Sequence, residues 1–291
     1  MSCVIEINQQ PTATMPTPLR NNHAIPSLGF GVYDSPPHTT RASVSHALAA
    51  GYRHIDTAQY YENEAQVGLA IRESRIPRDE IFVTTKALDG SGSVDDILCR
   101  MRKSVADIDG EEGYVDLFLV HSPSVGKEER KRIWLALERL HDLNLTRAIG
   151  VSNYGVKHLE ELQTYASPHH FPPAANQIEL HPWCQQRPIT TYCSSLKIPL
   201  LAYCPLVRAQ RSTDPILTRI ATAHNVSWAQ VLVRWALQKG FVPLPKSDTK
   251  ERIAGNAAVW GWALTEEEMG ELDGLDEGAE GAIGPNPVEC E

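Results

Sequence analysis

The chain has 291 residues, of which 42% are hydrophobic, 22% charged and 7% aromatic, a balance that belongs to folded globular proteins and excludes disorder as the main state. With 27 Lys and Arg against 36 Asp and Glu the formal charge is -9, and no run of five like charges breaks the mixture, which argues against a nucleic-acid partner. An anionic ligand stays open, because a phosphate site needs only two or three well-placed cations.

Met1–Leu19 carries Glu6, Pro11, Pro16 and Pro18 and has no basic start, so it reads as neither a signal peptide nor a membrane helix. No apolar stretch elsewhere approaches the ~18 residues that cross a bilayer. Leu19–Ile25 places Asn21-Asn22 between apolar flanks and predicts a small hairpin. Strands are predicted at Ser27–Val32, His54–Thr57, Ile81–Lys86, Val115–His121, Ala148–Ser152, Ala175–Glu179, Leu200–Tyr203 and Phe241–Pro245. Between them lie helical patterns at Thr39–Ala50, Glu64–Ser74, Val94–Ile108, Glu128–Leu143, Val156–Tyr165, Ile189–Leu196 and Pro215–His224, with Ser227–Lys239 and Glu251–Trp260 as further helices. In Val94–Ile108 the residues Ile97, Met101, Val105 and Ile108 share one helix face. Gly274–Glu291, rich in Gly, Glu and Pro, reads as an irregular tail lying over one end.

Eight strands each followed by a helix match a single (β/α)8 barrel, one domain over residues 1–291 with the hairpin closing its bottom, better than an open sheet. The competing doubly wound fold needs G-x-G-x-x-G, and after Gly29-Phe30-Gly31 no third glycine arrives. Cys3, Cys99, Cys184, Cys193, Cys204 and Cys290 are dispersed without a C-x-x-C, which predicts free thiols and a cytoplasmic setting. Cys290 is second from the end, where prenylation needs the fourth.

In such a barrel the reactive groups gather at the C-terminal ends of the strands. The polar residues ending the apolar runs are Asp56, Lys86, His121, Ser152 with Asn153, Gln177, Tyr203, and Lys246 with Ser247. Charges at the ends of buried strands must be paired or lose several kcal/mol to desolvation, so an Asp56–Lys86 ion pair is expected in the barrel mouth.

The segment Gly51–Glu64 with Val67-Gly68 resembles the signature region of the aldo-keto reductases. Val115–Pro123, Gly150–Tyr154, Asn176–Pro182, Ile198–Leu206 and Pro245-Lys246-Ser247 with Arg252 and Asn256 look like that family's further blocks in the right order. The resemblance runs from about Leu19 to Leu275. It implies a catalytic tetrad of Asp56, Tyr61, Lys86 and His121. Tyr61 is then the proton donor, its phenol lowered by the Lys86 ammonium; Asp56 holds Lys86, and His121 orients the carbonyl. It also implies that Ser152, Asn153 and Gln177 bind a nicotinamide carboxamide, that Tyr203 stacks on the ring, and that Leu206 and Asn256 line the cofactor. Lys246, Ser247 and Arg252 match positions that hold an adenosine 2′-phosphate, so NADPH is the implied cofactor.

Some positions depart from the pattern. Gly255 stands where many relatives carry a glutamate that reaches adenine, and Cys204 where serine is common. Tyr33, Leu88 and Ser122 occupy positions often filled by tryptophan in the aldose-reductase branch, which widens the expected pocket toward substrates bulkier than a simple sugar aldehyde. Trp183, opening a loop near the barrel mouth, is a further candidate for the substrate pocket, whereas Trp134, Trp228 and Trp235 fit core packing. His121 argues against the relatives that reduce steroid double bonds, which carry glutamate there. The expected protein is an NADPH-dependent reductase of an aldehyde or ketone, a monomer without metal, membrane or nucleic-acid partners. The alternative is a cofactor-binding regulatory barrel with little turnover.

Overall fold

A computed structural model describes residues 17–19 and 24–291, and its centre is one eight-stranded parallel sheet. A two-stranded hairpin precedes it, β1 (Thr17–Pro18) paired with β2 (Ala24–Ile25). The Asn21-Asn22 turn expected between them lies outside the described residues. The sheet strands are β3 (Phe30–Gly31), β4 (His54–Asp56), β5 (Phe82–Ala87), β6 (Leu117–Val120), β7 (Ile149–Ser152), β8 (Asn176–Glu179), β9 (Leu200–Tyr203) and β10 (Val242–Pro243), each pairing with its neighbours in sequence. Fully parallel pairing demands crossovers, and helices supply them: α1 (Pro37–Ala49), α2 (Glu64–Ser74), α3 (Val94–Asp109), α4 (Lys127–Asp142), α5 (Val156–Gln163), α6 (Arg187–Ser195), α7 (Pro215–Ala223) and α8 (Trp228–Gln238). This is the (β/α)8 architecture.

The first and last strands are shorter than predicted, for a reason visible at the seam where the sheet closes on itself. Gly29 N donates to Pro243 O at 3.0 Å and Gly31 N to Pro245 O at 3.1 Å. The two prolines have no N–H to return, so the seam is stitched from one side only. Inside the barrel, Phe82, Leu117, Leu119, Leu201, Val242 and Leu244 pack with Leu19 and Ile25, and the hairpin residues thereby join the interior cluster. The larger cluster lies between sheet and helices, with Trp134 fully buried in it.

A further helix, α9 (Lys250–Ala257), and an unanticipated one, α10 (Glu266–Asp273), complete the chain. The start of α10 is a capping box, Thr265 accepting from Glu268 N while the Glu268 carboxylate accepts from Thr265 N. Leu272 then buries against Leu217, Ile220 and Trp235 in a second core. The tail beyond it is irregular, as expected, apart from one-turn helices at Gly278–Gly281 and Pro287–Glu289. It is pinned at its end by Arg130 Nη1 on Glu291 O at 2.9 Å and by the His158 ring on Cys290 O at 2.8 Å.

Two glycines test this packing in opposite directions. A Cβ at Gly68 in α2 would sit 2.4 Å from the backbone oxygens of both Asp107 and Ile108, so Gly68→Ala must push α2 from α3. A loss of about 1–3 kcal/mol in urea unfolding is expected. Gly255 in α9 has open space around its Cβ position, and Gly255→Ala is expected to add about 0.5–1 kcal/mol by helix propensity and a stiffer unfolded chain. Equal effects of the two substitutions would contradict the assigned helix contacts.

Candidate active site

Asp56 ends β4 and Lys86 lies near the end of β5, and both are almost wholly buried. The expected ion pair is present, Lys86 Nζ standing 2.6 Å from Asp56 Oδ1. Lys86 Nζ also donates to Thr57 O at 2.9 Å and lies 3.3 Å from the Tyr61 hydroxyl. The second Asp56 oxygen accepts from Gln177 Nε2 at 2.6 Å. Tyr61 comes from the one-turn helix Gln59–Tyr61 after β4, which the left-handed Glu62 (φ 55°) terminates. Asn63 fixes that turn. Its Oδ1 accepts from Thr57 Oγ1 at 2.7 Å, and its Nδ2 reaches Val32 O at 3.1 Å, tying the turn to the loop after β3.

Burial pushes the Asp56 carboxyl up and the Lys86 ammonium down, each opposed by the other's charge. The Tyr61 hydroxyl is raised well above the usual phenol range by burial first, then by Asp56 and the neighbouring Tyr203, Tyr33 and Cys204. The expectation that Lys86 lowers it is therefore not met. Burial is the largest effect on the phenol, and the Asp56 charge, paired with Lys86 at 2.6 Å, acts in the same direction. Tyr61 stays protonated. The His121 ring meets the Tyr61 ring edge-on at 5.6 Å, and burial with the nearby Lys86 charge pushes it down to about 3, leaving it neutral. Its Nδ1 is buried with no hydrogen-bond partner among the described residues.

The opposite wall comes from the ends of β7, β8 and β9. Ser152 Oγ donates to Gln177 O at 2.9 Å, and the left-handed Asn153 (φ 64°) aims its Nδ2 at His121 O at 3.0 Å and Ser152 Oγ at 3.2 Å. The Tyr203 hydroxyl donates to Asn153 Oδ1 at 2.8 Å. These groups line one cavity of about 710 Å³ together with Asp56, Tyr61 and His121, within the usual size range of a ligand pocket. Tyr33, Leu88, Ser122, Leu206 and Lys246 line it too.

Five predicted site residues do not, Lys86 among them, which lies behind Asp56 and Tyr61. Trp183 is 2% exposed, packs in the second core and is not among the residues that line the cavity. Ser247 is half-buried with its hydroxyl accepting from Thr249 N, Arg252 is exposed on the first turn of α9, and Asn256 is buried on the same helix. Lys246 is engaged. Its Nζ pairs with Asp248 Oδ2 at 2.6 Å and donates to Asp34 O at 3.2 Å, while Asp248 Oδ1 accepts from Ser35 and Ser43.

Tyr60, Arg208, Gly284 and Pro285 line the cavity without having been singled out. Tyr60 adjoins the tetrad tyrosine and is 64% exposed, a signal in the sequence only by adjacency. Arg208 lies over the Tyr33 ring at 5.7 Å. Gly284 and Pro285 arrive because Glu179, buried at the end of β8, accepts from Ile283 N at 2.6 Å and draws the tail across the mouth. Cys204, also on the wall, is an unreactive thiol, pushed up to about 11 by burial.

Residues 28–277 match the family model described as the aldo/keto reductase family. Glyoxal reductase of Bacillus subtilis is 40% identical over 272 residues, 93% of this chain and 95% of that protein. The 9,11-endoperoxide prostaglandin H2 reductase of Trypanosoma cruzi is 42% identical over 263 residues, 89% of this chain and 90% of that one. Among solved structures, a Bombyx mori aldo-keto reductase in complex with NADP superposes with a TM-score of 0.81 at 32% identity, covering 89% of this chain and 92% of that one.

The neutral histidines make acid stability a readout of the site. His54 and His121 are both held near 3, whereas an unfolded histidine titrates near 6.5, so the unfolded chain binds the extra protons. Their contribution is fully present above about pH 6.5 and is lost as pH falls from there toward about 3. Each steepens the loss by up to about 1.4 kcal/mol per pH unit. Urea unfolding between pH 7 and 5 should show the fall, and His54→Gln should flatten it; an unaltered slope would remove His54 as a buried neutral group.

Proposed function

The chain belongs to the aldo/keto reductase family and is an oxidoreductase acting on carbonyl groups, and from that premise we propose that it reduces an aldehyde or ketone to an alcohol using NADPH, with Tyr61 as the proton donor. The observation that carries this reading is the Tyr61 hydroxyl 3.3 Å from a lysine that Asp56 holds, facing a cavity whose other wall is made of amides and hydroxyls.

A bound reduced nicotinamide supplies the hydride, which no side chain can deliver. The chain's own residues do the rest. As the carbonyl carbon is reduced, its oxygen gains charge and needs a proton and hydrogen-bond donors. Tyr61, kept protonated by burial, gives the proton, and Lys86 beside it receives the phenolate as an ion-pair partner. His121, neutral, donates to the carbonyl oxygen and orients it without competing as an acid. Asp56 keeps Lys86 charged and in place.

On the cofactor wall, Gln177 Oε1 has no protein donor among the described residues and is free to accept from a carboxamide, next to Ser152 and Asn153. Tyr203, anchored through its hydroxyl to Asn153, presents its ring as a stacking face. Leu206 lines the same cavity, and Asn256 is proposed to meet the cofactor farther along, on α9. Lys246, Ser247 and Arg252 take the 2′-phosphate, and Lys246 must then be shared with Asp248. That competing carboxylate tempers the preference for NADPH, while the absent side chain at Gly255 forgoes an adenine contact that both cofactors would share.

Tyr33, Leu88 and Ser122 on the cavity wall support a substrate bulkier than a simple sugar aldehyde. Relatives named for glyoxal and for a prostaglandin endoperoxide stand at similar identity, so identity alone does not fix substrate size. We read the protein as a cytoplasmic monomer; among the described residues no helix is long and apolar enough to cross a membrane. The complete tetrad geometry favours turnover over a purely regulatory role.

Tyr61→Phe keeps the ring and removes the proton, so kcat for any reduced carbonyl is expected to fall at least about 100-fold. NADPH affinity, measured by fluorescence titration, should hold within about twofold; retained turnover would dismiss Tyr61 as the acid. Lys246→Ala with Arg252→Ala should weaken NADPH at least about tenfold while leaving NADH nearly unchanged, because only NADPH carries the added phosphate. Equal losses for the two cofactors would contradict the assignment.

A further inference from the structure

Among the described residues, one group of side chains with metal-ligand chemistry gathers away from the cavity: His141, Asp142 and His170, whose ligand atoms all lie within 4.8 Å of one another. His141 and Asp142 end α4, and His170 lies in the segment between α5 and β8. Helix C-termini and strand starts share the barrel's N-terminal face, so this cluster sits at the end opposite the tetrad. The sequence gives no ligand spacing here; the fold closes 29 residues to bring the histidines together.

The second ring nitrogens decide what the facing ones can do. His170 Nδ1 lies 2.7 Å from Ser167 Oγ, with the Glu138 carboxylate at 3.6 Å. Glu138 Oε1 is itself held by Ser167 N at 2.7 Å and Trp134 Nε1 at 2.8 Å. This surrounding favours the proton on Nδ1 and leaves a lone pair on Nε2. His141 is also hydrogen-bonded to the backbone of Arg147. The two remaining nitrogens, His141 Nδ1 and His170 Nε2, then face each other at 3.2 Å with the rings nearly perpendicular, 84° apart. Two lone pairs so placed repel unless a proton or a cation lies between them. A tetrahedral ion with Zn–N bonds of about 2.0–2.1 Å sets its nitrogens roughly 3.3–3.4 Å apart, close to this separation. A carboxylate or carbonyl behind each ligating imidazole is the usual support of a metal site.

We propose that His141, Asp142 and His170 form a zinc site that clips the segment before β8 to the end of α4. Three protein ligands leave one position for water, and the exposed Asp142 carboxylate closes the shell by a side-chain rotation. The site acts on the stability of the barrel's lower end and leaves the mouth untouched.

The test uses the full chain, free of any histidine tag and stripped of metal. Isothermal titration with Zn2+ at pH 7.5 is expected to show one ion per chain that His170→Asn and His141→Asn each abolish, and Asp142→Asn weakens at least about tenfold. Zinc at roughly ten times its Kd should raise Tm by roughly 2–4 °C in the parent and not in the histidine variants. Co2+ in place of zinc should give the visible absorption of a four-coordinate nitrogen and oxygen site, lost in the same variants, with carbonyl turnover the same throughout. Because Asp142 is exposed, its variant reports on the site even if a histidine variant fails to fold. Zinc bound equally by the parent and all variants, for instance at Cys99, or no binding at all, overturns the proposal.

Discussion

A lysine ammonium with no exposed surface is the constraint on which the barrel mouth depends. Lys86 is 0% exposed, and a charge so placed is tolerated only when its donors are satisfied and its charge is balanced. An ammonium has three donors, and all three are assigned here, to Asp56 Oδ1, Thr57 O and the Tyr61 hydroxyl. Breaking any one leaves a buried polar group unmet, at a cost of about 1–3 kcal/mol or more for a charged one. The requirement binds together the end of β4, the end of β5 and the turn carrying Tyr61, and through the second Asp56 oxygen it extends to β8. The proposed proton donor is thus placed by a stability requirement of the fold.

Beyond the strand ends, part of the cavity wall comes from loop and tail, which are held by other means. Cys204, Val207, Arg208 and Ala209 adopt left-handed backbone with φ between 46° and 62°. For a β-branched residue such as Val207 this conformation is costly, and it persists because the Val207 side chain is fully buried in the second core. That segment is therefore bent over the cavity under strain compensated by packing below it. On the other side, the buried Glu179 accepts from the tail at Ile283 N and from the His181 ring at 3.0 Å, which accounts for a carboxylate at 0% exposure. Strained loop and tethered tail together bring Arg208, Gly284 and Pro285 to the rim.

These two origins explain what the sequence disclosed. Strand ends were legible because a polar residue closing an apolar run in a parallel barrel sits at the mouth: Asp56, His121, Gln177 and Tyr203 line the cavity, and Lys86 lies behind them on Asp56 and Tyr61. Tyr61 was legible only through the likeness of its surrounding segment, since nothing in the local pattern separates it from Tyr60. Trp183 follows a strand end yet turns into the second core, an outcome set by α10 and the tail, which local periodicity does not encode. The direction of the phenol shift differs from the expectation because burial, which a sequence does not measure, acts on Tyr61 first and the Asp56 charge adds to it. The helix α10 was available to a closer reading, since Thr265-Glu266-Glu267-Glu268 spells a capping box ahead of Met269 and Leu272. His141 and His170 were beyond reach, because their meeting is tertiary.

The polar groups of the mouth form one continuous chain. From Tyr203 the bonds run to Asn153, to Ser152, to the Gln177 backbone, and from the Gln177 side chain to Asp56, Lys86 and Tyr61. The wall proposed to hold the nicotinamide and the residue proposed to donate the proton are therefore members of a single network and not two neighbouring sites. In a low-dielectric interior such bonds polarise one another, so a change at one end alters the field at the other. A carboxamide accepting or donating at Gln177 acts directly on the residue that fixes Asp56, and through it on the ammonium beside Tyr61. If Gln177 holds the cofactor and Tyr61 gives the proton as proposed, cofactor binding and proton-donor strength are coupled through this network.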